Sequence, residues 1–282
     1  MRAHALLAGC ALLFVAPITA MTQPVTKYVR YSHQGATSFG ILAGDTVREL
    51  RGDLFASPTP TGRQLRLADV QLLAPCEPSK VVAVGLNYKT HLGDRPAAEY
   101  PGLFAKLPTS IIATGADILI PSDAKNVHYE GEMVIVIGKR AKNVPVESAK
   151  SYVFGVTVGD DVSERDWQKA DLQWFRAKGS DTFGPLGPAI VTGLNYDDLL
   201  LQTRLNGATV QSQRTSDLIF PVAQVVGYVS RYVTLLPGDV IFTGTPGTTR
   251  PIKPGDVVEV ELEGVGVLRN PVAQAKVAQV TP

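Results

Sequence analysis

The stretch HYEGEMVIVIGKR, residues 128 to 140, decides how this chain is read. Glu130 and Glu132 stand one residue apart at the head of an apolar run, Met133 to Ile137. In a strand, side chains alternate faces, so residues two apart point the same way. Their Cα atoms then lie about 6–7 Å apart, a span that one ion can bridge through both carboxylates. Carboxylates leading into a buried strand are costly unless something compensates them, and a hard divalent cation is one compensation. Alone, such a pair is more often a solvated strand face or a partner in ion pairs.

A third carboxylate shifts that balance. Tyr152 to Val158 reads as a second apolar strand and ends in Gly159-Asp160-Asp161. Two neighbouring strands can present Glu130, Glu132 and one of these aspartates to a common point. Spacing does not choose between Asp160 and Asp161, and Asp161 also suits the cap of a helix through Ser163-Glu164-Arg165-Asp166. Three carboxylates favour an oxygen-liking ion, Mg²⁺ or Mn²⁺.

Around this core the chain has an ordinary globular balance. Of 282 residues, 45% are hydrophobic and 19% charged, with a formal net charge of +1. That length suits one large domain, or one with a small companion. No basic stripe stands out, which argues against nucleic acid as a partner. The 26 Gly and 20 Pro, many in turn-like pairs, point to strands and turns. Residues 1–20 run from Arg2 through an apolar segment to Ala20, the order of a secretory signal peptide. Met21 is an equally ordinary start, which would make 1–20 an upstream mis-start. The chain is then exported, to the periplasm, in the first case and cytoplasmic in the second. The apolar segment is too short for a comfortable membrane span. Cys10 would leave with it, so Cys76 stands alone and no internal disulfide is expected.

Residues 21–74 read as a small N-terminal unit with strands at Tyr28–Tyr31 and Phe39–Leu42, and ASPTPTGR (56–63) as a surface loop. Residues 75–282 form the main domain, with strands expected at 81–85, 118–120, 133–137, 152–158, 189–191, 201–205, 240–242 and 257–262. One helix is expected, because Val222, Val225, Val226, Val229 and Val233 follow helical spacing behind Pro221.

Three further segments can carry chemistry. His91 precedes Asp94 by three residues, which places them on one face of a helical turn; a carboxylate beside an imidazole makes it a better general base. Gly93 and Pro96 suit a mobile lid. Lys178 lies among turn residues after Trp174 and Phe175, where a fixed ammonium would stabilise an oxyanion or enolate. Thr243-Gly244-Thr245-Pro246-Gly247 offers hydroxyls and N–H groups to a carboxylate, although on this segment alone a plain turn is the preferred reading. The chain carries no glycine-rich nucleotide loop, no nucleophile elbow and no zinc-type Cys/His cluster.

In order, GLNYKTH (85–91), LFAKLPTS (103–110), HYEGEMVIVIGKRAKNV (128–144), FGVTVGDDVSERDWQ (154–168), KGSDTFGPLGP (178–188), LNGATVQ (205–211) and LLPGDVIFTGTPG (235–247) resemble the fumarylacetoacetate hydrolase family. The resemblance covers roughly residues 75 to 275 and rests on the ordered set, not on one motif. It implies a β-rich α+β fold, a mixed β-sandwich roll behind a small N-terminal domain, and a homodimer. It matches Glu130, Glu132 and Asp161 to the metal ligands, with Asp160 at a position that is commonly Asn. His91 matches the lid histidine that activates water, and Asp94 stands where many members carry a Glu partner. Lys178 matches the active-site lysine, Arg165, Gln168 and Thr245 the substrate-lining positions, and Lys106 the pocket segment.

The implied activity is metal-dependent hydrolysis of a carbon–carbon bond in a β-dicarbonyl acid such as an acylpyruvate. Mg²⁺, or Mn²⁺ with Ca²⁺ as a further option, would hold the 2-oxo acid, His91 would activate water, and Lys178 would help to stabilise the enolate. The same parts serve lyases and isomerases of the family, including oxaloacetate-type decarboxylases, 2-oxo-alkenoate hydratases or isomerases, and enzymes like ureidoglycolate lyase. A protein that only binds small oxo acids is the remaining alternative, disfavoured because base, lysine and carboxylates occur together.

Overall fold

The computed structural model describes residues 24–276, so the signal-peptide reading of residues 1–20 lies outside the described residues. Its centre is the strand Gly131–Ile137, buried at every position. Met133, Ile135 and Ile137 face one apolar cluster, which includes Leu201, Val260 and Leu262. Val134 and Val136 face another, with Leu54, Val81, Ile190 and Phe242. Burial on both faces explains why the run is continuously apolar and does not alternate.

Gly131–Ile137 lies between Val153–Asp160, antiparallel, and Val240–Phe242, also antiparallel. Val240–Phe242 then pairs in parallel with Val81–Gly85, which is followed by the antiparallel Gly102–Lys106 at the edge. On the other side, Val153–Asp160 pairs with Gly184–Thr192. Thr26–His33 joins that strand through Thr26–Tyr28, so the N-terminal strands extend the same sheet. A five-stranded sheet packs across it, in the order Ala208–Arg214, Leu200–Leu205, Val257–Leu262, Gly266–Gln274, Ile118–Ile120. Two packed sheets with few helices are the expected β-rich sandwich roll.

The expected helix spans Val222–Tyr232 and buries Val222, Val225, Val226 and Val229. The helix stops at Tyr232, one position before the end of the valine pattern, and Val233 leaves it in an extended conformation. The expected loop at 56–63 is corrected: Thr59–Arg66 is a strand, paired with Thr46–Arg51. It closes the end of the sheet with most side chains exposed, and Pro60 is tolerated because an edge strand need not donate on both sides. Among the described residues, no helix is long and apolar enough to cross a membrane.

Candidate active site

The carboxylates converge where two central strands end. Glu130 immediately precedes its strand, and its N–H donates to Asp160 Oδ1 at 2.7 Å. The Asp161 N–H returns a hydrogen bond to the Glu130 carbonyl at 2.8 Å. This double tie turns the two aspartates apart. Asp160 holds backbone, and Asp161 sends its side chain to the glutamates. Ligand oxygens of Glu130, Glu132 and Asp161 lie within 4.8 Å of one another, and all three residues are buried. Gly131 between the glutamates has no room for a side chain, because a Cβ there would stand 2.1 Å from Thr203 Oγ1. Gly244 is equally constrained: its φ is +103° and a Cβ would meet Asn87 Cβ at 2.7 Å. Its N–H donates to Glu132 Oε2 at 2.7 Å.

Three cations surround this acid cluster. Lys178 Nζ donates to Glu130 Oε2 and Asp161 Oδ2, both at 2.6 Å. Lys106 Nζ donates to Asp161 Oδ1 at 2.6 Å and also to the Lys178 carbonyl. Arg165 donates to Glu130 Oε1 through one nitrogen and to Gln168 Oε1 at 2.8 Å through the other. The two glutamates therefore differ in kind. Burial alone would raise Glu130, but Lys178, Arg165 and His91 outweigh it and hold the carboxyl well below its ordinary range. Burial, reinforced by Asp161 and Glu130, pushes Glu132 well above that range. Burial likewise raises Asp160 to about 7, against the Glu130 N–H that favours its charge. A hard divalent cation fits this set. It would supply positive charge at the one clustered glutamate that no lysine or arginine pairs among the described residues.

His91 sits in the single helical turn Lys89–Leu92. Its Nδ1 lies 2.5 Å from the Gly247 carbonyl and its Nε2 3.3 Å from Glu130 Oε1. A carbonyl only accepts, so Nδ1 carries a proton and Nε2 is the nitrogen turned to the acid cluster. The expected pairing with Asp94 is thus corrected: both ring nitrogens are committed elsewhere, and Asp94 lies exposed in the turn after the helix. Lys106 is corrected too. It is buried behind Asp161, not on the pocket wall, and its ammonium faces protein acceptors. Thr245 lines the pocket, but its hydroxyl donates to the Gly131 carbonyl and accepts from Gln211, both at 2.8 Å. Glu164, not Asp161, caps the helix Arg165–Ala170, accepting from the Trp167 N–H. Lys178 lies in the short helix Phe175–Gly179, not in a turn.

A pocket of 810 Å³ opens over the cluster, lined among others by His91, Arg165, Gln168, Thr249, Phe104 and Trp174. Phe104 and Trp174 meet edge to face at 5.3 Å and form its apolar side. Neither they nor Thr249 stand out in the sequence, because their partners come from distant segments. His128 is the one with a visible signal, since it opens the deciding stretch. Burial and the nearby Arg165 lower its pKa to about 4.

The family model described as fumarylacetoacetate (FAA) hydrolase C-terminal matches residues 80–273, and a second, Rv2993c-like N-terminal, matches residues 26–75. The chain belongs to the fumarylacetoacetate hydrolase family. It is 49% identical over 235 residues to Protein Rv2993c of Mycobacterium tuberculosis, covering 81% of this chain and 88% of that protein. It is 41% identical over 219 residues to the mitochondrial oxaloacetate tautomerase Fahd2a of Rattus norvegicus, covering 73% and 70%. Among solved structures, it matches a 5-carboxymethyl-2-hydroxymuconate delta-isomerase from Mycobacterium smegmatis with a TM-score of 0.84 and 45% identity, over 88% of this chain and 100% of that one. A maleylpyruvate hydrolase from Sphingobium sp. SYK-6, in complex with manganese(II) and pyruvate, matches with a TM-score of 0.75 and 26% identity, over 89% and 100%.

Proposed function

We propose that this chain is a divalent-metal-dependent enzyme that shifts a small 2-oxo dicarboxylic acid between its keto and enol forms. The observation that carries this reading is the buried meeting of Glu130, Glu132 and Asp161 beneath an open pocket, with His91 Nε2 beside them. Mg²⁺ or Mn²⁺ on these three carboxylates would supply the Lewis acid that draws electron density from the oxo group.

The chain's own residues do the rest. Arg165, steadied by Gln168, offers its guanidinium to the substrate carboxylate at the pocket floor. With Glu130 engaged by the ion, His91 Nε2 would be free to take the proton from the carbon beside the oxo group while the oxo oxygen gains one from water, and the reverse exchange restores the keto acid. The Gly247 carbonyl holds the tautomer that this requires. Lys178, buried and held protonated because Asp161 and Glu130 outweigh the effect of burial, stabilises the negative charge that develops on oxygen.

Likeness to a tautomerase and an isomerase above 40% identity favours this reading over hydrolysis. Hydrolysis of an acylpyruvate is kept as a second reading because 810 Å³ is more room than a four-carbon acid needs. Following the enol absorbance of oxaloacetate with Mg²⁺ or Mn²⁺, and acetylpyruvate cleavage in parallel, separates them. Faster enol decay without carbon–carbon cleavage supports the tautomerase. Cleavage of acetylpyruvate without an effect on oxaloacetate would replace it with the hydrolase, and silence on both would leave a binding protein.

A further inference from the structure

From Arg165 a chain of hydrogen bonds runs away from the pocket, and its direction can be read from both ends. At the far end, the Asp166 carboxylate accepts from Asn126 Nδ2 at 3.0 Å. A carboxylate only accepts, which fixes the amide so that Asn126 Oδ1 faces His128. That oxygen lies 2.8 Å from His128 Nε2, so Nε2 carries the proton. His128 Nδ1 lies 2.9 Å from Thr249 Oγ1. At the near end, Arg165 only donates, and its NH2 group donates to the same Thr249 Oγ1 at 2.9 Å. A second proton on the imidazole would direct two cations onto one hydroxyl. The polarity that satisfies every group is therefore a neutral ring whose Nδ1 accepts the Thr249 O–H, leaving the Thr249 lone pair to Arg165.

We propose that His128 is a positioning residue that, donating from Nε2 to Asn126 and accepting at Nδ1, aims the Thr249 hydroxyl at Arg165 and so fixes the guanidinium that receives the substrate carboxylate. The functional half of this inference rests on the proposed role of Arg165, whereas the tautomer stands apart from any activity. His128 is only partly buried and packs at the two-stranded ladder Val127–His128 with Ser163–Glu164, so its ring belongs to the wall behind Arg165. The arrangement explains why a histidine can lie beside an arginine: it serves as an acceptor.

Nitrogen-15 NMR of the full chain at neutral pH tests the tautomer directly. The expected spectrum has a protonated Nε2 and a bare Nδ1 for His128, and Thr249→Val should move the Nδ1 resonance and leave Nε2 protonated. A protonated Nδ1 would overturn the proposal whether or not the enzyme acts on oxaloacetate. For the functional half, His128→Ala should raise KM for oxaloacetate roughly tenfold with kcat nearly kept. His128→Gln should restore KM, because its oxygen can accept from Thr249 and its nitrogen donate to Asn126. Equal KM in the Ala variant and the parent would refute the positioning role. So would a Gln variant as impaired as Ala. Should His128→Ala fail to fold, the same readings are taken on Thr249→Val, where an unchanged KM refutes the role.

Discussion

Glu130→Gln and Glu132→Gln change the same atom in the same motif, and the structure gives them opposite effects on the metal-free protein. Glu130 is paired with Lys178 and Arg165 in a site that leaves its side chain 6% exposed. Removing one partner of such a buried pair costs about 3–5 kcal/mol. Glu132 has no such partner among the described residues, and burial together with Asp161 and Glu130 raises its pKa. Where a folded carboxyl is raised, the native state binds a proton that the unfolded chain releases. Its stability is full below the ordinary carboxylate range and falls as pH rises through the raised value. Glutamine mimics the protonated form, so Glu132→Gln should remove that fall and stay within about 1 kcal/mol of the parent at neutral pH, or above it. Glu130 has the opposite sign: its contribution is present above the ordinary value and is lost as pH falls through the lowered one. Both variants should lose Mn²⁺ affinity by roughly a hundredfold or more, since disturbing even a partner behind a metal ligand costs about 10–100-fold. Urea unfolding in a chelator across pH 5 to 9, with Mn²⁺ titration calorimetry, reads both quantities. Equal destabilisation by the two substitutions would refute the charge assignment, and unchanged Mn²⁺ affinity in either would refute the ligand assignment.

Other outcomes follow from the same geometry. His91→Ala should slow oxaloacetate tautomerisation by about 10²–10⁴-fold with Mn²⁺ affinity retained, measured by enol decay beside calorimetry; unaltered turnover would remove the base. Lys178→Met should lower kcat more than it raises KM in the same assay, and a pure KM effect would make it a substrate anchor. Gly244→Ala should cost more than about 1 kcal/mol, because its φ is positive and Asn87 blocks a Cβ. It should also weaken Mn²⁺ binding by freeing Glu132 Oε2, and chemical denaturation with calorimetry checks both. Asp94→Ala should leave the pH profile of turnover unchanged, since the His91 ring is held by Gly247 and Glu130.

The parts of this molecule that read well from sequence are those whose environment repeats along the chain. Met133–Ile137 is apolar throughout because both its faces are buried, and the valines from 222 to 229 keep helical spacing because one face is. Residues 56–63 read as a loop because the exposed edge strand that covers most of them, Thr59–Arg66, needs no apolar alternation and accepts proline. The carboxylates are legible for a similar reason: two adjacent strands end together, so Glu130, Glu132 and Asp161 share a place in the fold and not merely a composition. Spacing fails for His91. It points to Asp94, three residues away, whereas the ring's neighbours belong to residues 130 and 247. Lys106 shows the same limit. The segment it lies in does border the pocket through Phe104, but the ammonium of Lys106 is held by Asp161 behind the wall. His128, Thr249 and Asn126 form a chain that only tertiary structure assembles.

The most direct test is the position of a single ion. Crystals grown with Mn²⁺ and oxalate, with anomalous scattering measured at the manganese edge, should show one strong peak per chain between Glu130, Glu132 and Asp161, with oxalate reaching Arg165. A peak elsewhere, or none while the carboxylates stay closed on Lys178 and Arg165, would contradict the claim that this acid cluster is a metal centre for 2-oxo acids.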